Sequence, residues 1–232
     1  MSLYRDRHVV VTGGAGALGT AVVGALIERG AVCHVPALTE KEAQGFSLRD
    51  HPQVKVSVAG DLADEAAVGR FFAGVPELWA SIHVAGGFAA APVSATGKSD
   101  LMRQIDMNLT TSFLCCRAAV NAMAKTGGRI VNVAARPALE WRSGAGMAAY
   151  TASKAAVAAL TVALAEEVAK HGILVNAVAP SILDTPENRR AMPKADHAAW
   201  PKVEEVASTI LYLASPDNKV TRGAVVPVYG RV

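Results

Sequence analysis

The chain has 232 residues, just over half of them hydrophobic, with few aromatics and a formal net charge of +3. That size and apolar content fit one compact domain of the α/β kind, and the near-balanced charge without a basic run argues against nucleic acid or an anionic membrane as partner. Three cysteines, Cys33, Cys115 and Cys116, show no zinc spacing. They fit buried thiols in a reducing cytoplasm and predict no metal site. No signal-peptide core opens the chain, and no apolar run is expected to span a bilayer.

In chain order, His8–Thr12 is a short apolar run ended by glycines and reads as a buried strand. Residues 17–29 carry apolar positions at helical spacing, with Gly30 where a C-cap glycine belongs. Strands are expected at 31–38, 54–58, 78–84, 129–133, 173–178 and 224–228. Helices are expected near 64–73 and over 99–124, 147–171 and 203–214, with an irregular Pro-rich stretch at 180–201. Strand and helix alternate without repeats or linkers. The fold class is therefore α/β: one Rossmann-type, doubly wound domain over 1–232 with about seven parallel strands and helices on both faces. Loops at the carboxyl ends of the strands should build the site, and 180–202 should form a substrate segment or lid.

The first strand runs into Thr12-Gly13-Gly14-Ala15-Gly16-Ala17-Leu18-Gly19, so Gly14, Gly16 and Gly19 spell G-x-G-x-x-G between a strand and a helix. That context lets the backbone approach a pyrophosphate at the positive end of the helix. The alternative is a tight turn that binds nothing. The second strand ends Val35-Pro36-Ala37-Leu38-Thr39, with neither a carboxylate for a ribose nor an arginine for a 2′-phosphate. Glu40 and Lys41 follow as loop charges, and the cofactor reads as NAD or NADP.

Tyr150 and Lys154 stand four residues apart on one face of the 147–171 helix. An ammonium beside a phenol favours the phenolate and should bring the tyrosine pKa down. Such a tyrosine gives a proton to a carbonyl oxygen, or takes one from an alcohol, while a hydride moves at the neighbouring carbon. A packing tyrosine beside a surface lysine is the other reading of that spacing.

The ordered set of TGGAGALG at 12–19, Asp61-Leu62, HVAGG at 83–87, Asn108, YTASK at 150–154 and VNAVAPSILDTP at 175–186 resembles the short-chain dehydrogenase/reductase family over essentially the whole chain. The resemblance implies that Tyr150 is the proton donor or acceptor. It implies that Lys154 holds the nicotinamide ribose and lowers the tyrosine pKa, and that Asn108 supports a water in the proton relay. It places the cofactor against Gly13, Gly14, Gly16, Ala17, Leu18, Gly19 and Ala37, against Asp61 and Leu62 at the adenine, and against Ala85, Gly86 and Gly87. Pro180, Ile182 and Thr185 fall at the carboxamide. It also implies a homodimer or homotetramer through the small-residue faces of the helices at 99–124 and 147–171.

Three departures stand out. Ala17 replaces the family's middle glycine, and His83-Val84 replaces its Asn-Asn; His83 reads as a strand-end residue bonded to backbone. The serine that ends the fifth strand is also missing, because that place reads Ala134-Ala135. AGGF at 85–88, the alanine-ended strand and LDTPENRRAMPKADHAAW at 183–200 resemble the branch typified by quinonoid dihydropteridine reductase, which also lacks that serine. The implied substrate is then a quinonoid dihydropterin. The rival substrates are a sugar, keto acid or acyl compound, and the rival class is a nucleotide-binding sensor. Ala135, Trp141, Ser143, Met192 and Trp200 are the candidate substrate contacts. Trp141 reads equally as cover for apolar surface, Arg142 as a solvated charge and Ser143 as a loop serine facing water.

Overall fold

A computed structural model describes residues 3–232. Seven strands form one parallel sheet: β1 His8–Thr12, β2 Val32–Ala37, β3 Val54–Val58, β4 Leu78–His83, β5 Gly128–Val133, β6 Ile173–Pro180 and β7 Val225–Val228. Their spatial order is β3-β2-β1-β4-β5-β6-β7. The order reverses between β1 and β4, and an open parallel sheet has its crevice at the carboxyl ends of such a pair.

Successive residues of β1 face opposite sides, as the period of a strand demands. Val9 and Val11 pack with Val22, Val23 and Leu26 of α1 (Ala17–Ile27) and with Val206, Ile210 and Leu213 of the last helix. Val10 faces the other way, towards Phe71, Phe72, Leu114, Met123 and Ile130. Each fully buried aliphatic side chain of this kind contributes about 1.5–3 kcal/mol of transfer free energy. The remaining helices are α2 Glu40–Gly45, α3 Glu65–Ala73, α4 Lys98–Ile105, α5 Thr111–Met123, α6 Ala148–Glu167, α7 Pro186–Ala191 and α8 Val203–Ala214.

The expected helix at 99–124 is one rod with an internal fault: α4 and α5 are joined by a π-turn at Asp106–Thr110. The helix at 147–171 ends earlier than expected, at Glu167, and a tighter turn at Ala169–His171 leads to Gly172 at φ 69°. The expectation that no segment reaches bilayer length is corrected. The 20 residues of α6 are long and apolar enough by composition. Alanine and valine give α6 that character because one side packs closely on the sheet: Val157 and Ala165 are buried, and so is Lys154.

Candidate active site

The turn after β1 is built on close approach. Gly13 has φ +64°, and a Cβ there would lie 2.7 Å from the backbone N of Ala85. A Cβ on Gly19 would lie 2.1 Å from the Gly13 carbonyl oxygen, and one on Gly14 2.7 Å from Val35 Cγ1. The Ala85 N–H donates to Thr12 Oγ1 at 3.1 Å and ties the ends of β1 and β4 together. Gly16 caps α1 without a side-chain hydrogen bond, and the first turn holds no acidic residue. The leading N–H groups are thus left to an anion, and the residues present fit a dinucleotide pyrophosphate. Ala17 is exposed on the first turn of α1 and Leu18 is buried beneath it, so the departure from glycine adds a methyl on the outside.

At the end of β2, Ala37 is buried and Leu38 exposed. Sequence reasoning missed Glu42. The Thr39 hydroxyl accepts from the Glu42 N–H and starts α2, and the Glu42 carboxylate turns back to accept from the Leu38 N–H at 2.7 Å. The strand end therefore does carry an acid, delivered by a helix cap four residues on. The signal was the T-E-K-E run, which places a glutamate three residues after a capping threonine. Asp61 is exposed and accepts from the Ala63 N–H at 2.9 Å, with Leu62 buried beside it.

Asn108 sits in the π-turn, a frequent marker of functional helices. It is fully buried and grips the loop after β4 with both ends of its amide. Its Oδ1 accepts from the Gly87 N–H and its Nδ2 donates to the Gly87 carbonyl, both at 3.0 Å. Nδ2 also donates to Ser153 Oγ at 3.1 Å, and Ser153 Oγ donates to the Tyr150 carbonyl at 2.8 Å. Ser153, unremarked in the sequence, thus links Asn108 to the turn that carries Tyr150. Its position three residues after the tyrosine was the available signal. The Asn108 side chain holds these protein groups with both ends of its amide.

Lys154 is buried, and its Nζ donates to the Val133 carbonyl at the end of β5, at 2.8 Å. Burial lowers its pKa to about 8. A Cβ on Gly86 would lie 2.6 Å from Asn108 Oδ1 and 3.2 Å from Lys154 Nζ, so only glycine lets the loop lie across both groups. The expectation for Tyr150 is corrected. Its pKa is raised to about 12, and burial is the cause. The lysine ammonium is directed at a carbonyl and does not offset that burial. Phe88 packs edge-on to the Tyr150 ring, with centroids 4.9 Å apart.

His83 is structural, as the sequence reading favoured, but its partners are side chains. Its Nδ1 lies 2.8 Å from Asn132 Oδ1, an obligate acceptor, so Nδ1 carries the proton and Nε2 accepts from Ser81 Oγ at 2.8 Å. Asn132 Nδ2 donates to Thr161 of α6 at 2.9 Å. Burial pushes the His83 pKa down to about 4.

The substrate candidates are not gathered together. Ala134 and Ala135 are buried at the end of β5. The Ser143 hydroxyl donates to the Glu140 carbonyl at 2.7 Å, within its own loop. Trp141 is 73% exposed, and its Nε1 donates to Ala138. Trp141 and Arg142 border a 590 Å³ groove along Ala148, Ala152 and Ala155. That stripe of α6 is separate from the one bearing Tyr150 and Lys154.

Beyond Pro180 at the end of β6, Ile182 is exposed, and Thr185 caps α7 by accepting from the Asn188 N–H at 3.2 Å. The Met192 carbonyl meets His197 Nε2 at 2.8 Å. Trp200 is buried, its ring 4.7 Å from that of His197 between centroids, and so pins the segment down. Among the described residues no cluster of three or more metal-ligating side chains occurs.

A family model described as short chain dehydrogenase matches residues 7–196. The chain belongs to this family. Among curated relatives it is 36% identical over 240 residues to a galactitol 2-dehydrogenase of Rhizobium johnstonii, covering 96% of this chain and 93% of that one. It is 30% identical to a 3beta-hydroxysteroid dehydrogenase of Mediterraneibacter gnavus, covering 97% and 94%. The solved structure titled "ElxO with NADP Bound" shares the fold at a TM-score of 0.87 and 23% identity, over 97% of this chain and 98% of that one. The short-chain dehydrogenase described here is an NAD(P)-dependent oxidoreductase of small molecules with a single-domain Rossmann-type fold.

Proposed function

We propose that this dehydrogenase moves a hydride between NAD(H) and the hydroxyl-bearing carbon of a small polyol, or the matching ketone, with Tyr150 as acid and base. The observation that carries the reading is the convergence of Lys154 Nζ and Asn108 Oδ1 on Gly86, on the helix face that also bears Tyr150. The 36% identity to a galactitol 2-dehydrogenase supports the polyol class.

When bound, the dinucleotide supplies the hydride acceptor or donor. The Gly13–Gly19 turn and the start of α1 would hold its pyrophosphate, with Asp61 and Leu62 beside the adenine and Ala85–Gly87, Pro180, Ile182 and Thr185 towards the nicotinamide. Lys154, fixed by Val133, presents its remaining N–H groups to the ribose. Glu42 brings a carboxylate to the end of β2, which would disfavour the 2′-phosphate of NADP by like-charge repulsion if the ribose binds beside it. Tyr150, kept protonated by burial, donates to a ketone oxygen at neutral pH; alcohol oxidation requires its deprotonation. The 180–202 segment acts as a lid over the substrate. The exposed small-residue stripe of α6 supports a homodimer or homotetramer, and three free, buried thiols support a cytoplasmic setting.

The buried Ala134-Ala135 strand end, without a hydroxyl, favours a second reading in which a quinonoid dihydropterin supplies its own polar atoms. Steady-state assays separate the two. Oxidation of galactitol with NAD as oxidant supports the polyol reading, whereas NADH oxidation by a quinonoid dihydropterin alone would replace it.

A further inference from the structure

Gln104 lies on α4, one helical turn before Asn108, and is only 2% exposed. Its Oε1 accepts a long hydrogen bond from Asn108 Nδ2 at 3.5 Å, while its Nε2 is buried without a partner. Native proteins keep few unpaired buried donors. Gln104 also lines a 250 Å³ cleft closed by Ala89, Ala90 and Ala91 on one side and by Met147 and Ala149 on the other. Ala89 follows Phe88, whose ring packs on Tyr150, and Ala149 precedes Tyr150. Both walls of the cleft thus continue along the chain into residues whose rings touch, Phe88 and Tyr150.

We propose that this cleft is a second substrate subsite, next to that of the reacting oxygen, in which Gln104 Nε2 donates to a second, uncharged oxygen of the substrate. The chemistry of the walls sets that choice. The Thr96 hydroxyl is already donated to the Pro92 carbonyl, and Arg103 is paired with Asp100. The Gln104 amide is the buried donor among them that has no partner at all. Asp100 and Arg103 both border the cleft and offset each other, so its walls favour neither sign of charge. The alanine walls accept a short carbon skeleton. The probe is a vicinal diol, with one oxygen for Tyr150 and its neighbour for Gln104. The proposal rests on the alcohol-dehydrogenase reading of Tyr150.

The test compares a vicinal cyclohexanediol with cyclohexanol, with NAD present, in wild type, Gln104→Leu and Gln104→Glu. Gln104→Leu removes the donor and the acceptor. Gln104→Glu keeps an acceptor facing Asn108 and, where ionised, puts a carboxylate oxygen in place of the amide donor. The expected result is a diol-over-monol preference in kcat/KM of about tenfold for wild type, falling to about one in both variants. An unchanged ratio in Gln104→Leu overturns the subsite. So does a wild-type ratio in Gln104→Glu, which would mean that Gln104 acts through Asn108 instead. If wild type oxidises neither compound, the alcohol-dehydrogenase reading fails separately. Saturation-transfer NMR then decides the subsite: diol binding weakened in both variants supports it, and equal binding or no binding overturns it.

Discussion

Three side chains carry the chemistry argued for this site. Tyr150 is poised as an acid because burial lifts its pKa to about 12. Ketone reduction should therefore be nearly flat across neutral pH, and alcohol oxidation should rise with pH into the alkaline range, as a pH series of initial rates in both directions would show. Glu42 should make the enzyme prefer NAD. In Glu42→Ser the repulsion of a 2′-phosphate is gone, and the NADP-to-NAD ratio of kcat/KM should rise by roughly tenfold or more, about 1.4 kcal/mol. Glu42 was hidden from the sequence reading because its carboxylate reaches the strand end by folding back through a helix cap. Only the capping threonine three residues before it, Thr39, signals that reach. Tyr150, Lys154 and Asn108 were legible because a tyrosine and lysine on one helix face, in a chain with that first turn, have few other uses. The tyrosine's pKa direction was not legible, since it depends on where the lysine's N–H points.

Among the elements, the strands were visible as short, mostly apolar runs set between helical patterns. The short α2 carries only Ala43 as a buried residue and so has no periodic apolar signal. The π-turn was equally invisible, because one extra residue in a turn leaves a long apolar stripe nearly intact. Yet that turn is what turns Asn108 towards the loop after β4. Asn108→Ala would strip the Gly87 N–H and carbonyl of their side-chain partners, a loss of about 1–3 kcal/mol. A lowered urea midpoint together with a fall in kcat would report both consequences. Gly86→Ala tests the same junction from the other side. A Cβ there meets Asn108 Oδ1 at 2.6 Å, so activity should fall while the sheet stays folded, as far-UV circular dichroism would confirm.

For the molecule as a whole, the buried His83–Asn132–Thr161 chain ties β4 and β5 to α6, the helix that carries the acid–base pair. Held neutral, His83 has a folded pKa of about 4 against an ordinary value of 6.5. Its contribution is complete above about pH 6.5 and is lost as pH falls towards 4, amounting to about 3 kcal/mol. His34, lowered to about 4 by burial and by His8 and Lys55, acts in the same direction. Stability from urea unfolding should fall over that window, and His83→Gln should be less stable at pH 7 but fall less steeply.

The measurement that bears most directly on the central claim is NAD-dependent oxidation of galactitol by wild type and Tyr150→Phe, with dinucleotide binding followed in parallel. The account predicts turnover by wild type, and in the variant a loss of at least about a hundredfold in kcat with NAD still bound. A variant that turns over as fast as wild type would contradict the assignment of Tyr150 as the acid and base.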